Sequence, residues 1–159
     1  MELVAGVNLA EARVLVVEDN ELNQEFARAV LGSMGVTMIE CAGNGVEALE
    51  RLASFEPDLI VLDLMMPVMD GQEFLTRLRT MPQYIDLPVL VTTALGAQKM
   101  RNATFANGAT DFIEKPIHRK ELVARVTVHL RSHLLLKSLR RYHDRLAQDL
   151  DTARAMQEA

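Results

Sequence analysis

Asp63 is the first residue in the chain whose type and position suggest chemistry. It follows an apolar run at residues 59–62 and precedes a segment that contains Pro67 and Gly71. Such a run is typical of a buried strand in a parallel sheet, and open α/β sheets bind ligands at the carboxyl ends of their strands. Asp63 could instead cap a turn, because aspartate is a common turn residue. An acidic pair, Glu18–Asp19, also follows an apolar run and favours a functional site.

The chemistry expected of these residues is phosphoryl transfer. Clustered carboxylates repel one another unless a cation shares them, and all-oxygen ligands suit Mg²⁺. Lys115 supplies a point charge for a phosphoryl oxygen, and Thr93 offers a hydroxyl donor. Asp63 could then form an acyl phosphate, with the metal holding charge on the transferred group.

Strand-like and helix-like segments alternate from residue 13 to about residue 118. The candidate site residues lie at or just after the ends of the strand-like segments. Strands are predicted at 13–17, 36–41, 59–62, 88–92 and 110–113. Helices are predicted at 21–34, 44–54, 71–80 and 97–106, with another after Pro116. The inward face of the first helix is predicted to carry Leu22, Phe26, Ala29 and Val30. This order predicts an α/β fold with a five-stranded, doubly wound parallel sheet and the site at its carboxyl edge.

Four motifs resemble those of response-regulator receiver domains, the phosphorylated half of two-component signalling. They are Val-Val-Glu-Asp-Asn at 16–20, Asp63 with Met-Pro-Val-Met-Asp-Gly at 66–71, Val-Thr-Thr-Ala at 91–94 and Asp-Phe-Ile-Glu-Lys-Pro at 111–116. The resemblance covers about residues 12–130 in the family's order. It implies a flavodoxin-like receiver fold and a signalling switch that a sensor histidine kinase or a phosphotransfer protein phosphorylates.

The same resemblance implies a role for each residue of the site. Asp63 is the phosphoacceptor, and Mg²⁺ is held by Glu18, Asp19, Asp63 and the backbone carbonyl of Met65. Thr93 matches the switch hydroxyl, and Lys115 matches the phosphate-binding lysine.

Alternatives remain open at the matched positions, Phe112 and Glu18 among them. Phe112 matches the switch aromatic, but it could be a simple core residue at the end of an apolar strand. Glu18 could tune the pocket through water without touching the metal. The apolar Met65, two residues after the acceptor, and Leu95, two after Thr93, predict slow loss of the phosphoryl group, because neither side chain orients an attacking water.

Helix-permissive sequence continues without proline or glycine from about His118 to the end. An apolar stripe at steps of four and three consists of Leu135, Leu139, Tyr142, Leu146, Leu150 and Ala153. A lone helix has no core of its own, so the stripe predicts a homodimer through a coiled coil, with a solvated tail as the alternative. Residues 146–159 also resemble the helix that leads into the metal-dependent serine/threonine phosphatases fused to some receivers. The predicted organisation is a lead at 1–11, a receiver at 12–130 and a helical extension at 131–159.

Composition narrows the function classes. The 159 residues carry a net charge of −5, which gives no general support for nucleic-acid binding. A single cysteine, no evident signal peptide and no long apolar run indicate a cytoplasmic protein without a membrane span. The predicted function is a switch rather than an enzyme. A haloacid-dehalogenase-type phosphatase would want a second aspartate where Met65 stands, and a phosphorylation-independent interaction module would not need the acceptor.

Overall fold

The computed structural model describes residues 3–4, 7–94 and 98–158. Its strands are β1 (Leu3–Val4), β2 (Val7–Asn8), β3 (Arg13–Val17), β4 (Met38–Ala42), β5 (Leu59–Asp63), β6 (Val89–Thr93) and β7 (Asp111–Glu114). Its α-helices are α1 (Glu21–Ser33), α2 (Gly45–Arg51), α3 (Gly71–Leu78), α4 (Gln98–Ala106) and α5 (Arg119–Glu158). Short 3₁₀ turns occupy Leu9–Glu11 and Pro82–Tyr84. Residue 97, where the fourth helix was predicted to begin, and Leu95 lie outside the described residues.

The main sheet has five parallel strands in the order β4-β3-β5-β6-β7. This order confirms the predicted flavodoxin-like α/β fold. The register places Asp63 beside Thr92 and Thr93 beside Glu114, so the ends of β5, β6 and β7 meet at one edge. The pair β1–β2 forms a separate antiparallel hairpin within the segment predicted only as a lead.

Strand residues alternate between two apolar cores, one on each face of the sheet. On β3, Leu15 and Val17 enter the core beneath α2 and α3, whereas Val14 and Val16 enter the core beneath α1 and α5. Covering a parallel sheet on both faces explains why its strands read as continuous apolar runs.

The structure corrects the predicted inward face of α1. Leu22 is 75% exposed and Phe26 is 37% exposed, while Ala27, Val30 and Leu31 are the buried residues of the helix. Apolar residues occur on more than one side of this helix. Spacing alone does not decide between those sides, because burial depends on how the helix packs on the sheet.

The helix α5 begins on the receiver and extends well past it. Leu122, Val126 and Leu130 are fully buried against the sheet, and residues 141–157 are all exposed. Among the helices of the described residues, none is long and apolar enough to cross a membrane.

Candidate functional site

Asp63 is the last residue of β5, and its side chain is only 4% exposed. The backbone N–H of Met65 donates a hydrogen bond to Asp63 Oδ1 at 3.1 Å, which fixes the carboxylate above the strand end. The chain then returns closely over β5. A Cβ at Gly71 would lie 2.6 Å from the Asp63 carbonyl oxygen, so only glycine fits there.

Lys115 reaches this carboxylate from the end of β7, which β6 separates from β5 in the sheet. Its backbone N–H donates to the Thr93 carbonyl at 2.7 Å, and its peptide bond to Pro116 is cis. Its Nζ lies 3.2 Å from Asp63 Oδ1 and 4.0 Å from Glu18 Oε1. The structure therefore places one ammonium group close to two acids from the ends of different strands, β3 and β5.

Glu18 and Asp19 follow β3 and complete an acidic cluster with Asp63. Oxygen atoms of the three carboxylates lie within 4.8 Å of one another. Glu18 is 6% exposed, whereas Asp19 is exposed to solvent. Burial, together with the adjacent Asp63, raises the pKa of Glu18 to about 7, while Asn23 and Lys115 act to lower it.

Two side chains that the motifs did not include hold Glu18 in position. Asn23 Nδ2 donates to Glu18 Oε1, and Gln24 Nε2 donates to the Glu18 backbone carbonyl. Asn20 caps α1 by accepting the N–H of Asn23, so the first turn of α1 faces the cluster. The sequence signal for these contacts was present in the polar first turn of a helix that directly follows the acidic pair.

Two buried polar atoms at the site have no partner among the described residues: Glu18 Oε2 and Thr93 Oγ1. Buried polar atoms are usually satisfied, so orphaned atoms at a carboxylate cluster indicate a missing ligand. The candidate metal ligands are all oxygen atoms, which Mg²⁺ prefers. The residues present therefore fit the ion that the resemblance implies.

The remaining predicted residues are placed as follows. Phe112 is 3% exposed, and its ring meets the Phe105 ring of α4 edge-on at 4.4 Å between centroids. Its burial agrees with the core interpretation, and its role as a switch stays a prediction. Met65, whose carbonyl was predicted to bind the metal, has a side chain exposed beside the acceptor.

Comparison with known proteins defines the class. Residues 14–127 match the model of the response regulator receiver domain. The chain belongs to this family, which confirms the predicted receiver domain of two-component signalling.

Named relatives give the same result. The chain is 44% identical over 119 residues to response regulator MprA of Mycobacterium ulcerans (strain Agy99), a match over 75% of this chain and 50% of MprA. It is 40% identical over 113 residues to hybrid signal transduction histidine kinase D of Dictyostelium discoideum, a match over 71% of this chain and 7% of that protein. The chain thus spans about half the length of MprA and a small part of the kinase.

A solved structure agrees with this assignment. The signal receiver domain of a signal transduction histidine kinase from Syntrophus aciditrophicus superimposes with a TM-score of 0.71 and 32% identity. The match covers 76% of this chain and 91% of that one.

Proposed function

We propose that this receiver domain accepts a phosphoryl group on Asp63 and transmits the change through α5. The observation that carries the proposal is the position of the Asp63 carboxylate. It is buried at a strand end, 3.2 Å from Lys115 Nζ, within an acidic cluster that has orphaned polar atoms. Donors are a sensor histidine kinase or a phosphotransfer protein, as the family implies.

The transfer is a displacement at phosphorus. An Asp63 carboxylate oxygen forms the new P–O bond, and the bond from phosphorus to the donor breaks, with its electron pair leaving on the donor. Lys115 stabilises negative charge on the transferring group, because its ammonium already lies beside the acceptor oxygen. Thr93 Oγ1 is buried without a partner among the described residues and can donate a hydrogen bond to a phosphoryl oxygen.

Glu18, Asp19, Asp63 and the Met65 carbonyl are the groups proposed to hold Mg²⁺. When bound, the ion supplies positive charge that offsets the charge of the transferring phosphoryl group. Glu18 acts either as a direct ligand or through water, and its unpartnered Oε2 is available for either role.

Acetyl phosphate tests the acceptor directly. Purified chain is incubated with acetyl phosphate and Mg²⁺, and intact mass spectrometry measures the fraction that gains one phosphoryl group. The wild type is expected to gain it, whereas Asp63→Asn and wild type with a metal chelator are not. Equal labelling of wild type and Asp63→Asn would refute Asp63 as the acceptor.

A second copy of the chain is the proposed partner of α5. Along its outer stripe, Leu139, Tyr142 and Leu150 are 62%, 62% and 66% exposed. At 3.6 residues per turn, Leu139 lies about half a turn from the buried Val126, so the stripe faces away from the receiver. A homodimer could therefore form while α5 stays packed on the sheet.

Sedimentation equilibrium tests this pairing. The double variant Leu139→Glu, Leu146→Glu places charge in the stripe and is expected to shift the chain from dimer to monomer. Gln148→Glu adds charge to another side of the same exposed helix and serves as the matched control. A wild type that stays monomeric at high concentration would contradict the dimer without affecting the acceptor proposal.

A further inference from the structure

The helix α5 meets the opposite edge of the sheet through a row of basic side chains. The row is spaced by four, four, four and three residues, so its members share one side of the helix. It consists of Arg125, His129, His133, Lys137 and Arg140. Each contacts an aspartate near the amino end of a strand: Asp111 at β7, Asp58 before β5 or Asp86 before β6.

Asp58 is the most enclosed of these aspartates. Its side chain is 3% exposed, and its Oδ2 accepts the backbone N–H of Arg13 at 3.0 Å. Its Oδ1 lies 3.0 Å from Lys137 Nζ and 3.4 Å from His133 Nε2. A buried carboxylate is stable only when its oxygens are satisfied, and here α5 supplies two of the three partners.

The flanking pairs differ in strength. Arg125 Nη1 contacts both oxygens of Asp111 at 3.0 and 2.8 Å, and His129 Nε2 adds a contact at 2.9 Å. By contrast, Arg140 and Asp86 lie 3.6 Å apart with side chains 67% and 76% exposed, and such surface pairs contribute little. Asp58 is therefore the last strong attachment point along the helix.

Apolar packing decreases along this part of α5, where only Leu134 still contacts the core. Leu130 is the last fully buried residue of the helix, and Leu134 is only half-buried. Alongside this segment, a cleft of about 490 Å³ separates the helix from the loops before β5 and β6, with Tyr84 and Leu136 among its lining residues. Across this cleft, α5 is attached to the receiver mainly by polar contacts. Nearer the start of the helix it is attached by side-chain packing.

We propose that Asp58, His133 and Lys137 form a latch that holds residues 131–141 of α5 on the receiver. The latch sets the direction in which the helix leaves the sheet. It also joins the helix to the amino end of β5, the strand whose carboxyl end carries Asp63. Opening the latch detaches the middle of α5 while Leu122, Val126 and Leu130 stay buried.

A tryptophan reporter tests the latch, because the chain contains no natural tryptophan. Leu136→Trp places the indole at the cleft, and acrylamide quenching of its fluorescence reports whether the helix lies on the receiver. In this background, Asp58→Asn and Lys137→Met are each expected to raise the quenching constant about twofold, because both weaken the contact that closes the cleft.

Arg145→Met is the matched control, since Arg145 is an exposed basic residue of the same helix with no ion pair among the described residues. It is expected to leave quenching unchanged. Far-UV circular dichroism establishes that each variant is folded, and Lys137→Met decides the question if Asp58→Asn does not fold. Unchanged quenching in a folded Lys137→Met variant would overturn the latch.

Discussion

Strand β5 has a buried aspartate next to each of its ends, and the fold treats the two in opposite ways. Asp58 is surrounded by donors: a backbone N–H, an ammonium and an imidazole. Asp63 also accepts one backbone N–H, that of Met65, but it shares one lysine with Glu18 and lies close to the carboxylates of Glu18 and Asp19. The side chains of Asp58 and Asp63 are almost equally buried, so the difference between them lies in how completely each charge is compensated.

That difference separates a structural carboxylate from a chemical one. Compensated charge stabilises the fold and holds α5 on the receiver. The charge at the other end is only partly compensated, which costs stability, and such groups are typical of sites that bind a cation or a substrate. The same strand therefore has a compensated carboxylate at one end and the proposed phosphoacceptor at the other.

Gly71→Ala should have the largest effect, and it acts at the Asp63 end of β5. The new Cβ would meet the Asp63 carbonyl oxygen at 2.6 Å and Leu64 Cα at 2.8 Å, both of them backbone atoms. We expect a loss of about 3 kcal/mol in the free energy of unfolding, measured with urea, together with reduced phosphorylation. Gly32→Ala is the control, because nothing lies within 4 Å of its Cβ and a helix favours alanine by about 0.5–1 kcal/mol.

Asp58→Asn acts at the other end of β5 and should lower the free energy of unfolding by about 2 kcal/mol at neutral pH. It removes the negative charge that Lys137 and His133 compensate. Burial by itself would raise the pKa of Asp58, but hydrogen bonds from His133, Arg13 and Lys137 bring it below its ordinary value of 3.8. The stability that this charge contributes is therefore present above pH 3.8 and lost as the pH falls through the lower folded value.

Urea unfolding of wild type and Asp58→Asn across this range checks the sign. The stability difference between the two proteins should shrink as the pH falls below about 4. A difference that stays constant down to about pH 2 would show that the carboxylate charge of Asp58 contributes nothing to stability.

Met65→Asn should have a smaller, kinetic effect on the acceptor end. The Met65 side chain is 64% exposed beside Asp63 and is apolar, so it cannot orient a water toward the phosphoryl group. An amide there is expected to accelerate loss of the phosphoryl group severalfold, or about 1 kcal/mol in the barrier. The decay of labelled protein after removal of acetyl phosphate measures this, with Val68→Asn on the same exposed loop as control.

Much of the acceptor end could be predicted from the sequence, because its elements are local. The bounds of β3 were predicted without error, and the strand order brings Glu18, Asp63 and Lys115 together as expected. Each of these residues ends a strand or directly follows one, and the carboxyl ends of parallel strands must share one edge.

The latch could not be predicted, because its partners are distant in sequence. Asp58 directly precedes the strand predicted at 59–62, yet its side chain contacts Lys137, 79 residues away. The prediction of the buried face of α1 was wrong for a related reason. Leu22 and Phe26 have helical spacing, but packing against β3 and α5 selected Ala27 and Leu31 instead.

The two aspartates of β5 are compensated differently, and one pair of unfolding measurements tests this directly. In buffer with a metal chelator, Asp63→Asn should raise the free energy of unfolding by about 1 kcal/mol, because it relieves repulsion with Glu18 and Asp19. Asp58→Asn should lower the free energy of unfolding under the same conditions. A shift in the same direction for both substitutions would contradict the difference in charge compensation between the two ends of the strand.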